Sequence, residues 1–251
     1  MIGAVPALLA LAFLVTALLY ASVGFGGGST YSALLALSGL DYRLLPLISL
    51  ACNIAVVAGS SIRFARNGLT PWRKALLIVA LGAPASFLGG LTPIKETTFL
   101  TLLGASLVLT SLTMLIPVRE TDSGAPSRFA QWTPLAAAPL GYLAGLVGIG
   151  GGIFLAPLLH LVRWESARGI AATASLFILV NSLFGLGGQM LKNGPGLFGQ
   201  AISTALPLLV AVVIGGQIGS QLAARLLPPK WIRRLTAVLV LVVGARLLAG
   251  L

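Results

Sequence analysis

The sequence predicts an all-α polytopic membrane protein built from two inverted repeats, and three observations carry that expectation. Of 251 residues, 57% are hydrophobic and only 8% charged, with a mean hydropathy of +1.02, a balance that excludes an ordinary soluble domain. The apolar residues fall into long runs separated by short basic loops. A glycine-rich segment, VGFGGGS over residues 23–29, returns as VGIGGGI over residues 147–153, once in each half of the chain.

Charge and chemistry narrow the class further. A net charge of +11 would suggest nucleic acid in a soluble protein, but the 16 Lys and Arg residues lie between apolar runs. There they report orientation in a bilayer, so lipid is the expected partner and nucleic acid is not. With one cysteine, Cys52, and one histidine, His160, no internal disulfide, metal site or cofactor is expected. Cys52 reads as a small buried hydrophobe, and His160 as an interfacial histidine. The opening residues MIGAVPALLALAFLVTALLY lack the basic stretch of a signal peptide and read as a retained helix.

Taken in order, apolar runs cover residues 3–22, 28–40, 44–62, 72–92, 97–117, 133–147, 153–162, 169–190, 199–227 and 231–250. Crossing a hydrocarbon core of about 30 Å takes roughly 20 residues. Runs 133–147 and 153–162 reach only about 22 and 15 Å at helical rise, so the second glycine cluster divides two half-helices. The glycines themselves, Gly24, Gly26, Gly27 and Gly28, then Gly148, Gly150, Gly151 and Gly152, each cost about 1 kcal/mol in a helix interior. Each cluster therefore breaks a helix within apolar sequence, where free backbone groups are tolerated only if buried in protein or lining a wet cavity.

Loop charge discriminates between topologies, because cytoplasmic loops carry the excess of Lys and Arg. If each cluster interrupts a single span, the basic residues divide 8:8, which orients nothing. If each is the tip of a hairpin that enters and leaves on one side, with the N-terminus outside, they divide 12:4. Arg43, Lys95, Lys192 and Arg246 are then the four outside. Three spans separate the hairpins, so the halves take opposite orientations, a recurring transporter plan with substrate near the midplane. The first hairpin is either a shallow re-entrant loop or a full-depth pair of crossings. The expected units are a first transmembrane repeat, 1–118, a cytoplasmic linker, 119–131, rich in charge, Pro and Gly, and a second repeat, 132–251. The runs LGAPASFLGG (81–90) and IGGQIGSQLAA (214–224) echo each other as small-residue surfaces for close helix packing.

GFGGGSTYSALLAL in the first half and GIGGGIFLAPLL in the second resemble the paired glycine-rich segments of the TauE/SafE family of sulfite and organosulfonate exporters. The resemblance extends over nearly the whole chain in length, repeat layout and linker position. It implies a permease of the bacterial inner membrane for small anions, often sulfur-containing organic acids.

The expected binding residues are Gly24, Phe25, Gly26, Gly27, Gly28 and Ser29 at one tip and Gly148, Ile149, Gly150, Gly151 and Gly152 at the other. Backbone N–H groups and positive half-helix ends there receive an anion without a buried cation; the competing reading is that the glycines only let helices approach. Asn53, Asn181 and Gln217 add side-chain donors from neighbouring spans. Interhelical hydrogen bonds, worth about 0.6 kcal/mol on average, are the alternative for these. Gln189, near a span end, reads as interfacial, as do Trp72, Trp164 and Trp231 beside loop charges. Asp41, Glu96, Glu120, Asp122 and Glu165 all fall in loops, so no mid-span carboxylate relays protons or holds a cation. A secondary transporter exporting a small anion by alternating access is the expectation. A proton-coupled importer or symporter is the rival, and a membrane-embedded lipid enzyme is disfavoured because no catalytic constellation is present. The sequence leaves a homodimer open.

Overall fold

The computed structural model describes residues 7–22, 26–115, 127–222 and 229–250. Among the described residues every regular element is helical: α1 (Ala7–Ser22), α2 (Gly28–Leu37), α3 (Leu44–Arg66), α4 (Trp72–Leu91), α5 (Glu96–Leu115), a 3-10 turn at Arg128–Trp132, α6 (Thr133–Val147), α7 (Gly152–Leu161), α8 (Ala167–Leu222) and α9 (Pro229–Ala249). Helices α3, α4, α5 and α8 are each long and apolar enough to cross a membrane.

At 56 residues, α8 would measure about 84 Å if straight, far more than a bilayer core. It is two spans, 167–193 and 195–222, divided at Gly194, whose φ of 75° and ψ of 172° are not helical. The sequence suggests a loop of several residues here. The structure narrows it to one glycine, and Pro195 opens the second arm because the first turn of a helix does not need its missing N–H. Glu96, expected in a loop, is the first residue of α5 and exposed, still at a span end.

Both glycine clusters interrupt helices, as α1 gives way to α2 and α6 to α7. Phe13 stacks on Tyr31 with ring centroids 4.7 Å apart and Tyr20 bonds Thr30 at 3.0 Å, so α2 turns back onto α1. In the second half, Ser127 N donates to Val162 O at 3.1 Å, and α6 and α7 therefore start and finish at one end of the molecule. Lys74, at the start of α4, is at that end too: it bonds Glu165 at 2.9 Å and lies 5.6 Å from the centre of the Trp164 ring. Trp164 is thus buried beneath a cation rather than facing the interface. The Lys74 hydrogen bond holds the Glu165 carboxyl below its ordinary pKa, as Arg43 does for Asp41 at the other end.

Small residues decide which helices touch. A side chain at Gly215 or Gly219 would run into the backbone oxygens of Leu14 and Leu18, one turn apart on α1. One at Gly141 or Gly145 would strike the oxygens of Gly82 and Ser86 on α4. The two small-residue runs thus serve corresponding purposes, each packing against the helix that precedes the glycine cluster of the opposite half. Gly104 of α5 and Gly244 of α9 meet in the same way.

Candidate functional site

The glycine clusters come together around one side chain. Asn53, fully buried on α3, donates from Nδ2 to Ile149 O at 3.2 Å. Gly28 lies so close that a Cβ there would collide with both Asn53 and Ile149 O. A Cβ on Gly26 would stand 2.9 Å from Asn53 Oδ1, and one on Gly150 would stand 2.8 Å from Asn53 Nδ2 and 3.1 Å from Ser182 Oγ. These glycines are spaces that side chains would fill.

Local conformation explains the second tip. Gly148 ends α6 in the left-handed region at φ 80°, and Gly150 and Gly151 follow at 83° and 81°, values costing an L-residue about 1–2 kcal/mol each. Gly27 and Gly151 are the N-caps of α2 and α7, and neither helix start receives a side-chain cap. In α7 the Phe154 N–H turns back to Gly151 O at 3.1 Å, the first N–H groups of a helix otherwise lack an intrahelical acceptor, and each helix end is partially positive.

Several buried polar atoms on these helices are unpartnered, and those of Asn53 and Ser182 stand beside Gly150. Ser29 Oγ, Tyr31 OH, Asn53 Oδ1 and Ser182 Oγ are buried without a hydrogen-bond partner, as are both side-chain polar atoms of Asn181. A buried polar group left unpaired costs about 1–3 kcal/mol, so such a set points to a ligand or to water. A helix start and the hydroxyls of Ser29 and Ser182, with no ionised side chain among them, can hold an anion by dipoles alone.

Not every expected residue gathers here. Gly26, Gly28, Asn53, Ile149 and Gly150 do, while Gly27 faces Tyr31 and Thr16 and Ser29 follows Gly28 with its hydroxyl buried. Gly148 packs on Pro46, Gly151 on Ala144 and Phe177, and Gly152 on Ile178, so these three shape the tip from behind. Asn181 faces Gly82 of α4, where a Cβ would stand 3.1 Å from its Oδ1, and Ser86 holds its backbone oxygen at 2.8 Å. Gln217 is exposed, with its amide near Gly59, further along α3. Gly24 and Phe25 lie outside the described residues, as do the side chains of Gln221 and Trp231. Ser182 and Tyr31 were not expected. Ser182 is one turn from Ile178, which also touches Gly26, Gly150 and Gly152, and that i, i+4 relation was the available signal. Gln189 is fully buried; its amide donates to Gly145 O at 2.9 Å and Leu146 O at 3.3 Å, satisfying carbonyls that the end of α6 leaves free.

Comparison with known proteins agrees with this architecture. The sequence profile described as sulfite exporter TauE/SafE matches residues 8–247. The chain belongs to the TauE/SafE family. It is similar to "Probable membrane transporter protein y4hK" of Sinorhizobium fredii, 35% identical over 96% of this chain and 97% of the relative. It is also similar to "Probable membrane transporter protein YunE" of Bacillus subtilis, 20% identical over 90% of this chain and 91% of that one. No solved structure matches. As a TauE/SafE protein the chain is a membrane transporter.

Proposed function

We propose that this TauE/SafE transporter carries a small anion, sulfite or an organosulfonate, out across the bacterial inner membrane by alternating access between two inverted repeats. The observation that carries the reading is the meeting of the two glycine tips at Asn53, where Gly26, Gly28 and Gly150 leave room beside the buried, unpartnered Ser182 Oγ. An anion there would take hydrogen bonds from backbone N–H groups, Ser29 and Ser182, with no fixed positive charge to trap it. Weak, shared coordination suits a carrier, which has to release what it binds.

Packing supports the repeats. Each pre-glycine helix rests on a small-residue run of the other half, the exchange expected when two halves interlock in opposite orientations. Lys74 and Glu165 pair at one end while Arg43 and Lys192 line one pocket at the other, which favours the 12:4 division of charge. An 8:8 topology would separate Arg43 from Lys192. Export follows from electrostatics: each negative charge leaving a negative-inside cell gains about 2.3 kcal/mol per 100 mV. In liposomes holding the purified protein, sulfite or methanesulfonate should move down an imposed potential. Absence of potential-driven flux for both anions would refute the proposal.

A further inference from the structure

At the end of the molecule away from the Lys74–Glu165 pair, a pocket of about 130 Å³ opens between the starts of α3 and α5 and the end of the first α8 arm. That is room for about four waters at their liquid volume of ~30 Å³ each. Its walls include Tyr42, Pro46, Phe99 and Leu146, with Lys192 and Asn193 among the polar lining. Pro46 also backs Gly148. Asn53 follows Pro46 by two helical turns of α3, about 10 Å at helical rise, so the pocket and the second tip share the wall formed by Pro46.

Its charge is not neutralised. Arg43, at the rim, is exposed and paired with Asp41 at 2.6 Å. Lys192 is half-buried, and among the described residues no carboxylate pairs with it. Its ammonium reaches only the backbone oxygen of Thr92, at a long 3.4 Å. An ammonium drawn partly out of water without a counter-ion is costly, and an anion beside it would relieve that cost. The nearby amides are differently occupied. Asn193 Nδ2 is held by Gln189 O at 2.9 Å and Gln189 Oε1 at 3.2 Å, which together with the two α6 carbonyls spends both groups on framing the pocket. Lys192 is left as its one uncommitted donor of full charge.

We propose that this pocket is a second anion site, the outer mouth of the transport route, in which Lys192 holds the anion electrostatically before or after it occupies the glycine tips. This rests on the anion reading above. The mouth differs in chemistry from the tips, being charged, open to solvent and lined on one side by apolar rings. It suits a small oxyanion bearing a short apolar group.

Lysine acetylation of the purified full-length protein, read peptide by peptide by mass spectrometry, tests it with methanesulfonate as the probe. Methanesulfonate should slow acetylation of Lys192 by about fivefold, the ratio expected when most sites are occupied, leave Lys95 unchanged, and do the same in Asn53→Ala. Equal responses at Lys192 and Lys95, or protection that disappears in Asn53→Ala, would overturn the mouth site. In liposomes, Lys192→Gln should raise the half-saturating methanesulfonate concentration about tenfold when the anion is supplied on the Lys192 face and leave the opposite face unchanged, with Lys192→Arg recovering most of the loss. Protection of Lys192 without any flux would remove the transport reading and keep the site. Flux that is indifferent to Lys192→Gln on both faces would remove the site and keep the reading.

Discussion

Alanine at Gly150, set against alanine at Gly151, separates binding from backbone strain. Both glycines are left-handed, at φ 83° and 81°, and both substitutions meet the same conformational cost of about 1–2 kcal/mol. Both new methyl groups are also crowded. At Gly151 the Cβ stands 3.0 Å from Ala144 Cβ and Phe177 Cε1, both apolar. At Gly150 it stands 2.8 Å from Asn53 Nδ2, 3.0 Å from Ile178 Cγ2 and 3.1 Å from Ser182 Oγ, in the space assigned to the anion. Overpacking adds about 1–3 kcal/mol in either place, so each variant should lose about 2–5 kcal/mol and show a fall in Tm on the order of 10 °C. Flux of sulfite into liposomes, normalised to folded protein, should then diverge. Gly150→Ala falls by at least about tenfold, equivalent to ~1.4 kcal/mol, whereas Gly151→Ala stays within about threefold of the parent. Equal loss in both variants, or parental flux in Gly150→Ala, refutes a site at Gly150.

Other outcomes follow from contacts already described. Asn53→Ala strips Ile149 O of its donor and should cost about 1–3 kcal/mol in thermal melts and abolish flux; transport at the parental rate would remove Asn53 from the site. Ser86→Ala loses the bond to Asn181 O, lowering stability by about 1 kcal/mol while flux per folded molecule is unchanged, since Ser86 packs on α6 away from the tips. The Glu165 carboxyl is held low by its hydrogen bond from Lys74, so its contribution is present above the ordinary carboxyl pKa of about 4.3 and fades as pH falls through the depressed value. The pair is solvent-screened, and Glu165→Gln should cost only about 0.2–1 kcal/mol at neutral pH, with melts of the two proteins converging at acid pH below both values. With Cys52 buried, single cysteines at Asn67 and Ser166 should be labelled from one side of the membrane and a cysteine at Lys95 from the other.

Much of the architecture was legible because it is written in residue types that leave little choice. Four glycines inside apolar sequence break a helix wherever they fall, and the runs at 81–90 and 214–224 announce close packing by having no bulk. What could not be read was rotational phase. Asn181 and Ser182 are adjacent, and composition favours the larger amide as a ligand, yet the helix turns Ser182 toward Gly150 and Asn181 toward Gly82. Gln189 lies near a span end and reads as interfacial, but helix α8 continues to Asn193 and brings that amide under the end of α6. Gln217 shows the opposite error risk: a polar residue in an apolar span need not point at the centre, and here it lies exposed beside Gly59. Lys192 reads in the sequence as one loop cation among many, because nothing local shows that its side chain turns into a pocket.

The contact between α1 and the second arm of α8 has a consequence for how the protein is made. Leu14 and Leu18 rest on Gly215 and Gly219, residues translated some two hundred positions later. At about 5–20 residues per second, the first helix waits roughly ten to forty seconds before the surface shaped to receive it exists. During that interval lipid, or another protein of the insertion machinery, has to cover the flank that will finally meet glycine. Biogenesis of this fold therefore ends with a closure across the whole chain, and a ribosome stalled before residue 215 leaves its first helix without a seat.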